Sequence, residues 1–566
     1  MRIASVTLAG LLATACGDGL GAAADAGAVD AGAVDAADPD GGRPDAGPLE
    51  CPAGHEGVPV EEGGDGCVLQ NPRLTAPSRL VRGRTFTLRA QILGEDGNVD
   101  PTGCAGLGAV SLERVADGAS VPITVTTFDD HTAVPDDAIR FVHGVGSVSF
   151  TLDDGDEAAP GAYRLVVEVG DLRATNVIDV LPAPAWRVMP AVLTGDDLVW
   201  GPDEQIRIVE HDTLVPAGAT LRIHPGTSVM VDTTGGLEDG TLLHVAGRVE
   251  AVGELDRAIH IFSQRGPAAM THTVAGASLS NPDAWRGIAF TGTGTSTLRW
   301  VILTGAGNGV VTSHPRPPIL NLLDTHDLVV EDSVFTDSTG MMFQSPGTGS
   351  YVIRRSLVSR VGIGAEFLSS GHTLLIEDSW WTGIGHGPTE PIRFDGDGIH
   401  LDGFDSDQTL RRCVVADVGD DAIDHSYSTF TIEATVVQDA VDKAVSMTEG
   451  QVTISDSLLF GAPTGVRGAA LVRRSTIATG EPILTPVLVD ESVIWPGTIG
   501  SCDGDVDHSI VGDEASLGCG DGNLSVDPAW TDAAACDYTP AAGSPALTAG
   551  AGGGLIGWPG YPAYTP

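Results

Sequence analysis

One six-residue pattern constrains this chain more than any other feature. An apolar residue, two variable residues, a small residue and two apolar residues recur nine times between positions 330 and 511: VEDSVF, IRRSLV, IEDSWW, LRRCVV, IEATVV, ISDSLL, VRRSTI, VDESVI and VDHSIV. The small residues are Ser333, Ser356, Ser379, Cys413, Thr435, Ser457, Ser475, Ser492 and Ser509, and the steps between them are 23, 23, 34, 22, 22, 18, 17 and 17 residues. A repeat of that length cannot bury its apolar side alone and must stack on its neighbours. Three short strands and their turns fill about twenty residues, and stacked coils repeat at about 4.8 Å. The fixed Leu/Asn spacing of a leucine-rich repeat is absent. The expected fold class is therefore all-β, a right-handed parallel β-helix. Two residues after each anchor stand Phe335, Val358, Trp381, Val415, Val437, Leu459, Ile477, Ile494 and Val511, an unbroken apolar column that must face the core.

The flanks carry a resemblance. The segments VPAGATLRIHPGTSV at 215–229, VAGRVEAVG at 245–253 and AWRGIAF at 284–290 resemble the opening coils of bacterial β-helix proteins of the pectate-lyase-like kind. The segments SVDPAW at 525–530 and CDYTPAAGSPALTAG at 536–550 resemble their closing part. The resemblance covers about two-thirds of the chain and implies a β-helix over residues 186–560.

Residues 1–16 read as a targeting segment. Arg2 precedes an apolar run too short to span a bilayer, and Ala13, Thr14 and Ala15 lead into Cys16. This resembles a bacterial lipobox, which implies lipidation of Cys16, export, and anchorage at the outer membrane or cell surface through lipid alone. Residues 17–50 are Ala, Asp, Gly and Pro in low-complexity repeats, a solvated tether that cannot bury a core. Residues 51–70 form a short segment bracketed by Cys51 and Cys67, read as a local disulfide. Cys502, Cys519 and Cys536 cluster near the end and are expected to supply one more bridge, assigned to Cys502 and Cys519; Cys104 and Cys413 are expected to be unpaired. Residues 71–183 alternate with period two in TFTLRAQIL and AYRLVVEV between turn clusters, which suggests a small immunoglobulin-like β-sandwich serving as a spacer.

The formal net charge of −46 argues against nucleic acid and against an anionic lipid surface, and it is compatible with hard cations. The chemistry lies between residues 395 and 449, in FDGDGIHLDGF, ADVGDDAIDHS and DAVDKAVSM. Aligning Ile399, Ile423 and Val445 as buried residues puts Asp397, Asp421 and Lys443 in one column, and His400, Asp424 and Ser446 in the next outward one. Carboxylates stacked at that range repel unless a cation intervenes. Asp397-Gly398-Ile399 followed by Gly419-Asp420-Asp421-Ala422-Ile423-Asp424 resembles the calcium site of family nine polysaccharide lyases. By that resemblance Asp397, Asp420, Asp421 and Asp424 would ligate calcium, and Lys443 would be the base that removes the C5 proton of a uronate in β-elimination. A purely structural Asp ladder, with Lys443 as an ion-pair partner, is the alternative.

The long step between Ser379 and Cys413 places extra chain beside this cluster. Arg393 and Arg467 could clamp a sugar carboxylate, and Trp380 could face outward as a stacking platform. The expected function is binding, with cleavage as an extension, of an acidic polysaccharide with calcium. The rival is a non-catalytic surface or adhesion protein whose β-helix is a rigid stalk.

Overall fold

The structure, a computed structural model, describes residues 55–57, 67–101, 103–125, 138–152, 159–182, 185–209, 212–233, 241–264, 273–275, 278–280, 284–307, 318–368, 370–385, 396–403, 407–497, 499 and 505–566. The tether and Cys16 lie outside them.

A 34-stranded parallel sheet runs from the strand Trp186–Val188 to the strand Ile510–Val511 and coils as a right-handed parallel β-helix. The coil around Thr435 shows the unit. Its first strand is Ser428–Glu433, its second Val436–Ala440 and its third Lys443–Met447; the next coil opens with Gly450–Ser455. The column two residues after each anchor pairs in register from Phe335↔Val358 and Val358↔Trp381 to Ile494↔Val511, and every member is fully buried. This continuous apolar interior drives the stacking.

The anchors do more than fit a tight corner. Each hydroxyl accepts a hydrogen bond from the backbone N–H of the anchor one coil earlier and donates to the carbonyl two residues before itself. Ser356 Oγ thus takes the Ser333 N–H and binds Arg354 O, and Ser457 Oγ takes the Thr435 N–H and binds Ser455 O. The ladder continues through Ser475, Ser492 and Ser509. Cys413 replaces the hydroxyl with a thiol that contacts Ile376 O and Arg411 O. Without these side chains a buried N–H in each coil would lose its partner, at about 1–3 kcal/mol apiece.

The residue before each anchor is left-handed: Asp332, Arg355, Asp378, Arg412, Ala434, Asp456, Arg474, Glu491 and His508 have φ between 43° and 52°, and Trp300, before Val301 of the preceding coil, shares the conformation. None is glycine, so each corner carries backbone strain that the anchor bonds help to offset. The column also carries charge. Arg355 binds both oxygens of Asp332, Arg412 both of Asp378 and Arg474 both of Asp456, each pair spanning one coil.

Residues 73–181 contribute a ten-stranded sheet, antiparallel except that Arg79–Val81 pairs in parallel with Leu172–Leu181. Its own core is built on Phe86, Leu88, Leu112, Phe150, Tyr163 and Leu165. That connectivity does not by itself assign the domain to the immunoglobulin class.

This domain packs against the side of the β-helix. The outward residues of the second strands, among them Ile302, Val334, Leu357, Trp380, Val414 and Leu458, share one buried cluster with Leu93, Val99, Val142 and Val145 of the sandwich and with Trp558 and Tyr564 of the C-terminal tail. Polar contacts fix the seat: Ser149 donates to Asp337, Arg360 to Ser147, and Arg140 pairs with Asp417. This domain is therefore packed and hydrogen-bonded along the side of the solenoid.

Two further expectations change. The parallel strands end at Val511, apart from one bridge between Ile510 and Leu524. The tail that follows runs back along the outer face, with Trp558 N–H on Thr476 and Tyr564 bridged to Val99, so residues 512–560 add no full coils. Cys104 is not free: it is bonded to Cys536, 432 residues away, and joins the sandwich to the tail. Sequence neighbours near the C-terminus suggested local pairing, but the tail's return path brings Cys536 to the sandwich. Cys519 is also disulfide-bonded, and Cys413 is free and buried. Cys51 and Cys502 lie outside the described residues, and Cys67 opens the strand Cys67–Leu69.

Candidate functional site

The acidic segments sit where the chain turns from the second to the third strand of successive coils. Register there follows the apolar residues: Ala365, Ile399, Ile423, Val445 and Val466 stack inward. The next residues form an outward polar column: Glu366, His400, Asp424, Ser446 and Arg467. Asp397 and Asp421 occupy the preceding turns and Lys443 opens its third strand, and the three hold together because Gly398 N–H donates to Asp421 O and Ala422 N–H to Lys443 O. Gly385, with φ 78°, closes against Gly396, where an added Cβ would lie 2.4 Å from a backbone oxygen. The excursion between these glycines, including Arg393, lies outside the described residues.

Two groups emerge whose donor atoms could hold a metal ion: Asp397, His400 and Asp424, and separately Asp420, Asp421 and Asp442. Each already contains a basic side chain of the protein. Lys443 Nζ lies 2.9 Å and 3.1 Å from the two oxygens of Asp421 and also binds Asp442 Oδ2. Its side chain is 12% exposed. Burial pulls the Lys443 pKa down, but the bonds to Asp442 and Asp421 outweigh it and leave it raised. Burial raises Asp421, against the pull of Lys443 and with the repulsion of Asp424 and Asp420.

His400 Nδ1 lies 3.3 Å from Asp424 and 3.5 Å from Asp397, within ion-pair range of both carboxylates. Burial would lower its pKa, but Asp397, Asp424 and Glu366 overcome that and push it up to about 9. His400 is therefore a cation at neutral pH. His425, one coil on and facing inward against Phe430, is pushed down to about 4 by burial and by the charge on His400.

The four aspartates that the lyase resemblance assigns to one calcium ion are thus divided between two groups, each held by a cation of the chain. Each group could still hold a metal ion, but not as the single four-aspartate set of the resemblance. Arg467 shares the His400 column, three coils on, and is exposed. Trp380 points outward as expected but is 1% exposed: its ring packs at 5.0 Å on Tyr564 and its Nε1 donates to His143 O. It is a packing residue under the sandwich and tail, and no sugar can stack on it there.

The sequence placed His400 in the outward column but did not show its charge. Glu366 was missed because its segment, GAEF, carries no motif. Another signal was present in the composition. Lys443 is the only lysine in the chain, every other one of the 30 basic residues of the Lys and Arg class being arginine. Among the described residues no helix is long and apolar enough to cross a membrane. Comparisons with known protein families, curated proteins and solved structures find no match for this chain.

Proposed function

We propose that the protein is a lipid-anchored surface protein whose β-helix is a non-catalytic platform for contact with an acidic polysaccharide. A parallel β-helix is compatible with polysaccharide binding and with lyase action alike. The observation that favours the non-catalytic reading is the bonding of Lys443. A general base needs a free amine near the working pH, whereas this ammonium gives three hydrogen bonds to Asp421 and Asp442 and has a raised pKa. The outward column ending in Ser446 and the exposed Arg467 supplies the polar contacts, and Arg467 suits a uronate carboxylate. Cys16 supplies the anchor and residues 17–50 the reach.

A second reading, calcium-assisted β-elimination with Lys443 as base, is favoured by one fact: the single lysine of the chain stands in its densest carboxylate group. One experiment separates the two. Purified protein is mixed with a panel of uronic-acid polymers, with and without calcium, and retention on the polymer and absorbance of unsaturated product are both followed. Retention without product is expected, and product formation would move the second reading to first place. Cys16→Ser should shift the protein from the membrane fraction to the soluble one, and unchanged fractionation would remove the lipid anchor from the proposal.

A further inference from the structure

We infer that the chain's own Lys443 ammonium stands in the Asp420–Asp421–Asp442 group where a divalent cation would otherwise be needed, so that this corner of the β-helix is independent of metal. The argument begins with what the chain does elsewhere. At the left-handed corners every inter-coil ion pair described above uses arginine, whose planar fork grips both oxygens of one carboxylate: Arg355 on Asp332, Arg412 on Asp378 and Arg474 on Asp456. A chain that supplies arginine at every other basic position has placed its only lysine here.

The two cations differ in shape. A guanidinium is flat and presents its donors in one plane, whereas an ammonium is a compact point charge with three donors directed to different sides. Either cation can bridge coils, as Arg354 does between Glu331 and Glu377. Lys443 does so: its three hydrogen bonds go to both oxygens of Asp421 in the preceding coil and to Asp442 in its own. That bonding pattern, a small positive centre gathering carboxylate oxygens, is what a hard cation gives such a group. The occupancy also explains why the four-aspartate calcium set does not assemble. Asp421 turns to the ammonium, while Asp424 and Asp397 face His400.

Stability, with no polysaccharide present, provides the test, so its outcome is separate from that of the proposed function. Full-length wild type, Lys443→Met and Lys443→Arg are melted in chelator and in excess calcium chloride, and calcium is titrated into each by calorimetry. The wild type should melt at the same temperature in both and give no binding heat. Lys443→Met keeps the length of the stem and removes the charge, so it should melt lower in chelator and recover in calcium, because an ion that binds only the folded state adds stability by mass action. If that variant folds only when calcium is present throughout preparation, the inference holds in stronger form. Lys443→Arg keeps the positive charge, so it should remain indifferent to calcium as the wild type does, and a calcium-raised melting temperature in it would count against the inference. Calcium heat or a calcium-raised melting temperature in the wild type would overturn the inference. So would a Lys443→Met protein that is indifferent to calcium, or one that stays unfolded with or without it.

Discussion

Two stacks of charge run along this β-helix, and they solve the same problem differently. At the left-handed corners Asp332, Asp378 and Asp456 each meet an arginine one coil on, so these charges neutralise each other pair by pair. At the turns into the third strands, among the described residues, Asp397, Asp420, Asp421, Asp424 and Asp442 crowd together around Lys443 and His400. Stacking forces each residue to face its own column one coil away, so a column of like charge cannot escape itself. Apart from Glu491 the corner acids are matched by arginines, and that stack reads as structure. The other stack gathers more acids than bases around Lys443 and His400, and it is the better place to look for function.

The largest effect should come from the pair the sandwich covers. Asp337, at a second left-handed position, is fully buried and accepts from Arg360, Ser149 and Thr336. Asp337→Ala would strand the Arg360 guanidinium beneath the sandwich. Removing one partner of a buried pair costs about 3–5 kcal/mol. Denaturant unfolding should show that loss, with earlier release of the sandwich seen as protease sensitivity in residues 73–181. A change below about 1 kcal/mol would mean that burial does not set the strength of these pairs.

Much of the architecture was readable because the stacking rule is strict. Each coil repeats the apolar positions, so the apolar Ile399, Ile423 and Val445 imply the register of the acidic turns, and the strands pair in that register. What could not be read was anything that depends on the path of the chain outside the repeat. Trp380 has the outward orientation its position implies, yet whether it meets solvent or Tyr564 depends on where the tail returns. The same return path decides the Cys104–Cys536 bridge. In the acidic turns, residue identities suggested one four-aspartate group. The division into two follows from which cation each carboxylate faces, and side-chain direction is not written in spacing.

A middle-sized effect should appear in the pH dependence, and it sharpens the contrast because the arginine stack does not titrate in this range. His400 is raised to about 9 in the folded protein, against an ordinary value near 6.5. A raised cation stabilises the fold fully below the unfolded value and loses that contribution as pH climbs through the folded one. The ceiling is on the order of 3 kcal/mol, lost between about pH 6.5 and pH 9. His425, lowered to about 4, acts in the opposite sense and costs stability as pH falls below about 6.5. Melting temperature followed across pH should therefore decline on the alkaline side in wild type and stay flatter in His400→Gln. Identical alkaline limbs in the two proteins would show that His400 is not held as a cation between Asp397 and Asp424.

The smallest effect is expected at the exposed end of the alternating stack. Arg474 binds both oxygens of Asp456 with geometry as good as that of Arg412 on Asp378, but its side chain is 50% exposed and that of Asp456 26%. In water the attraction is screened, and ordering a long side chain offsets part of it, so such pairs contribute about 0–1 kcal/mol. Arg474→Ala should lower stability by no more than that, and the difference should shrink further in high salt. The corner itself should survive, because its backbone is held by Ser475, which accepts from Ser457 N–H and donates to Arg473 O without help from the arginine. Ser475→Ala should therefore cost more than Arg474→Ala, since it removes the only partner found for that buried N–H. The reverse order in a denaturant series would mean that the charges, and not the hydroxyl ladder, hold the left-handed corners in place.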